Sequence, residues 1–310
     1  MKGTCLDIAR TRILIHPDDL FKAFHPLESS VIKPFIKSRY RQHDCSADIR
    51  IINDHRYPHK SMLERITGKP IKSLLSRRTR PRGFSRKALI TNKRALLIFD
   101  GNTRHCDVYY RTLKIAPALE DIYYQKWFYN LLVLKLLLRN ILNVNGLGAV
   151  LHASSIEHNG RGYVFVGHSG AGKSTVTRLL KPDRMLSDDT TVVRWTGRNY
   201  QLFTNPWWNG GPHIRIQNPE RPAPLKALFF IKKADRTCLA RLDPVISLKK
   251  IIASDVVAPQ LGFSSDSLST YRFCVFCREL LKHVPCFELS VRKSAVFKKE
   301  FAILLHRHRL

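Results

Sequence analysis

Acidic residues are scarce in this chain, and several other features are missing. Against 24 Asp+Glu stand 53 Lys+Arg, a formal net charge of +29 over 310 residues. That imbalance favours acidic partners or polyanions without naming one. Seven cysteines form no dense framework, so a disulfide scaffold is not expected. No opening segment has the charged-then-apolar layout of a secretion signal. Thiols in a reducing compartment fit these two features, and a cytoplasmic location is expected. Long apolar runs are missing too. The leucine-rich stretch Tyr129 to Val144 is broken by Lys135 and Arg139, four residues apart on one helical face. It falls well short of the roughly 18–20 apolar residues of a spanning helix. No membrane span is expected.

What is present is a folded composition, with 44% hydrophobic and 10% aromatic residues. The length suits two domains. Residues 1–118 read as a small, basic, mainly β domain. Ile49 to Ile52 is strand-like, and Asp100-Gly101 between two β-favouring runs signals a hairpin. Residues 119–145 read as a linking helix ended by Asn145-Gly146. Residues 146–310 read as an ATP-binding catalytic domain. Strands are expected near 190–203, 225–232 and 285–290, and helices near 244–253, 266–282 and 292–305. Residues 65–94 hold eleven Lys/Arg and no acid, including the run from Arg77 to Arg82. A solvated charge run competes there with docking of an acidic peptide or nucleic acid. The stretch has Phe84 as its one aromatic, so it lacks the stacking platforms of a single-strand binder.

The strongest chemical signal is Gly167-His168-Ser169-Gly170-Ala171-Gly172-Lys173-Ser174, a G-x-x-x-x-G-K-S phosphate-binding loop. Tyr163 to Val166 reads as the strand before it, and Ser174-Thr175-Val176 as the start of a helix after it. Glycines let backbone N–H groups converge on phosphate oxygens. Lys173 brings a positive charge to the β/γ-phosphates, and the Ser174 hydroxyl suits Mg²⁺. Asp188-Asp189 follows Lys173 by 15–16 residues. One carboxylate can hold the metal while the other takes a proton from an attacking hydroxyl. His152 lies 21 residues before Lys173, in a strand expected to hairpin with the loop's own strand. On residue type alone, a strand histidine is more often structural.

Leu151-His152-Ala153-Ser154, the run Val164 to Ser174, and Leu186-Ser187-Asp188-Asp189, in this order and spacing, resemble the catalytic domain of HPr kinase/phosphorylase. In particular they resemble HPr kinase-related proteins of peptide-modification clusters. The resemblance covers about 147–300. It implies an α/β P-loop kinase fold of the HPr kinase/ATP-dependent phosphoenolpyruvate carboxykinase type, with ATP, Mg²⁺ and transfer to a serine hydroxyl. By position it makes residues 167–175 the nucleotide site with Lys173 on the phosphates, Ser174 and Asp188 the metal site, Asp189 the general base and His152 an active-site histidine. The chain departs from the bifunctional enzymes after Gly211, where Arg215 is followed by no well-placed acid, Glu220 being nearest. The resemblance therefore does not extend to the phosphorylase reaction or to HPr as substrate.

The function expected is a serine kinase acting on a peptide or protein acceptor of acidic character. A catalytically weak nucleotide-binding regulator and a nucleic-acid-associated ATPase stand as alternatives, and self-association is open. Asn205-Pro206-Trp207-Trp208 reads either as a wall of the acceptor site or as core. Cys274-x-x-Cys277 reads as one buried turn of helix ahead of a zinc site.

Overall fold

The structure is a computed structural model. It describes residues 4–16, 35, 45–52, 87–91, 95–99, 105–110, 134–135, 137–143, 145–180, 183–207, 221–256 and 267–310. The chain divides into two compact units. One is Met1–Ile141 with Ala258–Asp266, and the other is Leu142–Val257 with Ser267–Leu310. The division falls inside helical residues 137–143, where Leu137, Leu138, Ile141 and Leu142 are buried at helical spacing. Residues 119–133 of the expected linking helix lie outside the described residues. Among the described residues, no helix is long and apolar enough to cross a membrane.

The first unit carries a six-stranded sheet. Its strands are β1 (Thr4–Ile8), β2 (Thr11–His16), β3 (Cys45–Ile52), β4 (Lys87–Thr91), β5 (Ala95–Phe99) and β6 (His105–Tyr110), in the order β1-β2-β3-β6-β5-β4. Ala9 and Arg10, both at positive φ, make the two-residue turn that matches the twist of the β1–β2 hairpin. β5 pairs antiparallel with β6, as the Asp100-Gly101 signal implied, although those two residues lie outside the described set.

The second unit does not have the P-loop kinase α/β fold expected from the sequence. It is organised on a closed five-stranded barrel with extra strands and few helices. The ring runs β11 (Tyr200–Phe203), β10 (Thr190–Trp195), β7 (Gly148–His158), β8 (Arg161–Val166) and β12 (Ala223–Lys233), and β12 pairs back onto β11. Four of these pairings are antiparallel, and only β8–β12 is parallel. The expectation failed because a strand–loop–helix motif is local, whereas barrel closure depends on the pairing Leu202↔Ala223, which no local pattern announces.

The two eleven-residue strands extend beyond the ring. β7 pairs β10 at its start and β9 (Arg184–Ser187) at its end. β12 continues parallel to β14 (Cys286–Val291), which carries β13 (Cys238–Arg241) on its far edge. Residues 162–166 of β8 and 227–230 of β12 are buried at every position, so these stretches are continuous apolar runs rather than alternations. On one face Val164, Val166 and Leu228 pack with α2 (Pro244–Val256) and α3 (Ser267–His283) through Ile251, Phe273, Phe276 and Leu280. On the other, Tyr163, Phe165 and Phe229 pack with α1 (Lys173–Leu179) and α4 (Phe297–Arg307). Phe297, Phe301, Leu304 and Leu305 form the buried stripe of α4. Cys277 and Cys286 lie in the first of these cores, and burial pushes the Cys286 thiol up to about 11.

Candidate functional site

β8 ends at Val166, and the chain turns at once into the loop 167–172 and then α1. Two glycines permit this path. Gly172 caps α1 at φ 103, a left-handed conformation that L side chains rarely adopt. A Cβ on Gly167 would stand 2.8 Å from that of Ala171, so a side chain there would force the loop open. The Ala171 amide donates to the His168 carbonyl at 3.1 Å, closing the turn. His168, Ser169 and Gly170 are exposed, and the His168 ring sits 2.7 Å from the Ser169 carbonyl. Ser174 is exposed and Thr175 half-buried in the first turn of α1. No side chain caps the N-terminus of that helix.

Lys173 is 6% exposed. Its ammonium donates to the Gly167 carbonyl at 2.8 Å, the His168 carbonyl at 3.1 Å and His152 Nε2 at 3.0 Å. Burial holds its pKa below the usual lysine value, and the Asp189 charge opposes that shift. An ammonium only donates, so His152 Nε2 accepts and Nδ1 carries the ring proton. That proton points to Asp189 Oδ1, 3.2 Å away. The result is a continuous line from Lys173 through His152 to Asp189.

Three strands assemble this line. His152 is on β7, one position before Ala153, which pairs with Val166 at the mouth of the loop. Across the other edge of β7, Thr190 of β10 pairs with His152. Asp188 and Asp189 make the turn from β9 to β10, which brings Asp189 alongside the imidazole. The sequence-expected residues His152, Lys173 and Asp189 therefore meet. Asp188 is half-buried at the same turn. Arg215, Glu220 and Trp208 lie outside the described residues, as does the basic run 77–82.

Polar groups behind the acids hold this turn through contacts that the motifs themselves do not state. The Ser187 hydroxyl donates to the Thr190 carbonyl, spanning the Asp188-Asp189 turn. The Asn205 amide donates to the same carbonyl at 2.6 Å. The Thr191 hydroxyl donates to the Ala153 carbonyl at 2.9 Å and lies 3.1 Å from the Ser155 hydroxyl, locking β10 to β7. A run of small polar residues inside apolar strands is the signal that marks them. Farther along β7, Glu157 bridges Arg184 and Arg221. Beyond α1, Lys298 donates to the Leu180 carbonyl and to Asp183, each at 3.1 Å, placing a cation at the negative end of that helix.

A family model described as SynChlorMet cassette protein ScmC matches residues 125–306, which takes in the whole of this cluster. No curated protein matches the chain.

Proposed function

The chain belongs to the SynChlorMet cassette protein ScmC family, and from that premise we propose that it is an ATP-dependent kinase. It moves the γ-phosphoryl group to a serine hydroxyl of a peptide or protein, an activity related to that of HPr kinase. The observation that carries this reading is the Lys173–His152–Asp189 line at the mouth of a glycine-rich loop. A buried ammonium beside backbone amides suits the β- and γ-phosphates. A carboxylate oriented by an imidazole suits proton removal from an acceptor hydroxyl.

The roles follow from the donors and acceptors present. Lys173 exchanges its bonds to the Gly167 and His168 carbonyls for phosphate oxygens, which the same reach allows. His152 holds Asp189 in orientation, and Asp189 takes the hydroxyl proton as the serine oxygen attacks. The Ser174 hydroxyl and the Asp188 carboxylate are hard oxygen donors of the kind Mg²⁺ takes, and they would hold the ion. When bound, Mg²⁺ neutralises charge on the β- and γ-phosphates. The basic run from Arg77 is a candidate for drawing in an acidic acceptor.

The test is transfer from γ-labelled ATP to serine peptides, beginning with products of genes beside this one. Phosphoserine formed by the parent and not by Lys173→Ala supports the reading. Label that never leaves ATP, or that appears equally with both proteins, ends it.

A further inference from the structure

We propose that Asn205 is a positioning residue of this site, fixing the Asp189 turn and the Pro206–Trp207 segment in one register. Asn205 is fully buried just beyond β11. Its Oδ1 accepts from the Trp207 backbone N–H at 2.9 Å, and its Nδ2 donates to the Thr190 carbonyl at 2.6 Å. The orientation of the amide is forced. A backbone N–H only donates and a carbonyl only accepts, so oxygen must face Trp207 and nitrogen must face Thr190. Only a planar amide offers both functions at that span. Asp has no donor when ionised, and Ser is too short to bridge both.

Thr190 is the residue through which this reaches the acid. Its hydroxyl lies 3.4 Å from Asp189 Oδ2, and its backbone pairs with His152 on β7. Its carbonyl also accepts from Ser187, on the other side of the Asp188-Asp189 turn. The turn that aims Asp189 is thus held by Ser187 from within and by Asn205 from a separate strand end. Trp207, 6% exposed, is tied to the same amide. Anything that shifts the Pro206–Trp207 segment therefore pulls on the Thr190 carbonyl, one residue beyond Asp189. Asn205 touches no reacting group itself. It acts through Thr190, and the catalytic consequence rests on the kinase reading above.

The deciding variant is Asn205→Asp. It keeps the acceptor for Trp207 N–H and removes the donor to Thr190, until acid returns a proton to the carboxyl. Two readouts are followed at pH 8 and pH 5.5, each normalised to the parent: amide hydrogen exchange of the segment 184–195, and phosphoryl transfer to the serine peptide across an MgATP series, read as kcat and KM. At pH 8 the segment exchanges faster, and kcat falls about 10–100-fold with KM for MgATP nearly unchanged, the scale of a small misplacement of a reacting group. At pH 5.5 both return toward the parent. Asn205→Ala shows the same losses with no recovery in acid. Exchange that matches the parent at pH 8, or N205D losses that acid leaves untouched, overturns the proposal. If the parent moves no label from γ-labelled ATP to any serine peptide, the kinase reading falls, and the exchange comparison still decides the positioning role. Should N205D not fold, Asn205→Ser carries the exchange comparison, and protection equal to the parent's overturns the proposal.

Discussion

The Lys173 ammonium lies 3.0 Å from His152 Nε2, so the residue that ends the loop and the residue in the neighbouring strand are one hydrogen-bonded unit. Their partners are set by charge. Lysine donates, the imidazole accepts and passes its own proton toward Asp189. Cutting the unit at different points gives different outcomes.

On the proposed reading, removing the lysine removes the charge that would face the phosphates. MgATP at about 100 times its Kd stabilises a binding-competent protein by about 2.7 kcal/mol. The parent shows a corresponding rise in Tm, and Lys173→Ala shows none. A thermal scan in which MgATP raises both proteins equally removes Lys173 from the nucleotide site.

On the same reading, removing the acid should leave nucleotide binding intact. Asp189→Asn keeps an oxygen that can accept from His152 Nδ1 and loses the base. Its MgATP-induced Tm shift should match the parent's, while transfer falls about 10²–10⁴-fold. Asp188→Asn should first raise the Mg²⁺ concentration needed for half-maximal transfer. Full activity in D189N together with dead D188N exchanges the two roles, and single-turnover rates across a Mg²⁺ series read this directly.

Much of the site was legible in the sequence, and the architecture was not. Lys173, Asp189 and His152 sit in short runs whose spacing carries chemistry, and the structure brings them together. The helices 244–256 and 267–283 and the strand 286–291 follow from apolar periodicity. β13, Cys238–Arg241, escaped because it is a short edge strand with half-buried and exposed residues and little pattern. The closure of β12 onto β11 escaped because only two residue pairs make it, between segments about 20 residues apart. Asn205 and Ser187 escaped because their importance lies in a shared partner, the Thr190 carbonyl, which no residue type reveals.

Glu157 makes stability pH-dependent in a stated direction. Burial raises its pKa, but hydrogen bonds and charge from Arg221 and Arg184 outweigh burial, and the net shift is below its ordinary 4.5. A depressed carboxylate pKa means the unfolded chain binds the proton more readily. The stabilisation is therefore complete above pH 4.5 and fades as pH falls through the lower folded value. Glu157→Gln should lose about 1–3 kcal/mol at neutral pH, since Arg184 is left facing a neutral partner. The gap between variant and parent should narrow below pH 4. Urea melts at pH 7 and pH 3.5 measure both, and a constant gap refutes the linkage.

Phe301 separates scaffold from chemistry. It is 2% exposed, and its ring lies 5.4 Å from Phe229, 5.9 Å from Phe165 and 6.3 Å from Tyr163, centroid to centroid. Two of those rings are on β8, the strand that delivers the glycine loop, so the packing of α4 bears on the footing of the site without touching its polar groups. Phe301→Ala leaves a cavity under a rigid sheet, and the cost should be about 3–5 kcal/mol. Phe301→Leu fills most of that volume and should cost less than half as much. Below its unfolding transition, the alanine variant should keep the parent's MgATP-induced Tm shift, because Lys173, His152 and Asp189 are held by strand pairing and their own hydrogen bonds. A shift lost in F301A while D189N retains it would mean that the aromatic layer sets the loop's geometry directly, and that the footing of β8 belongs to the nucleotide site.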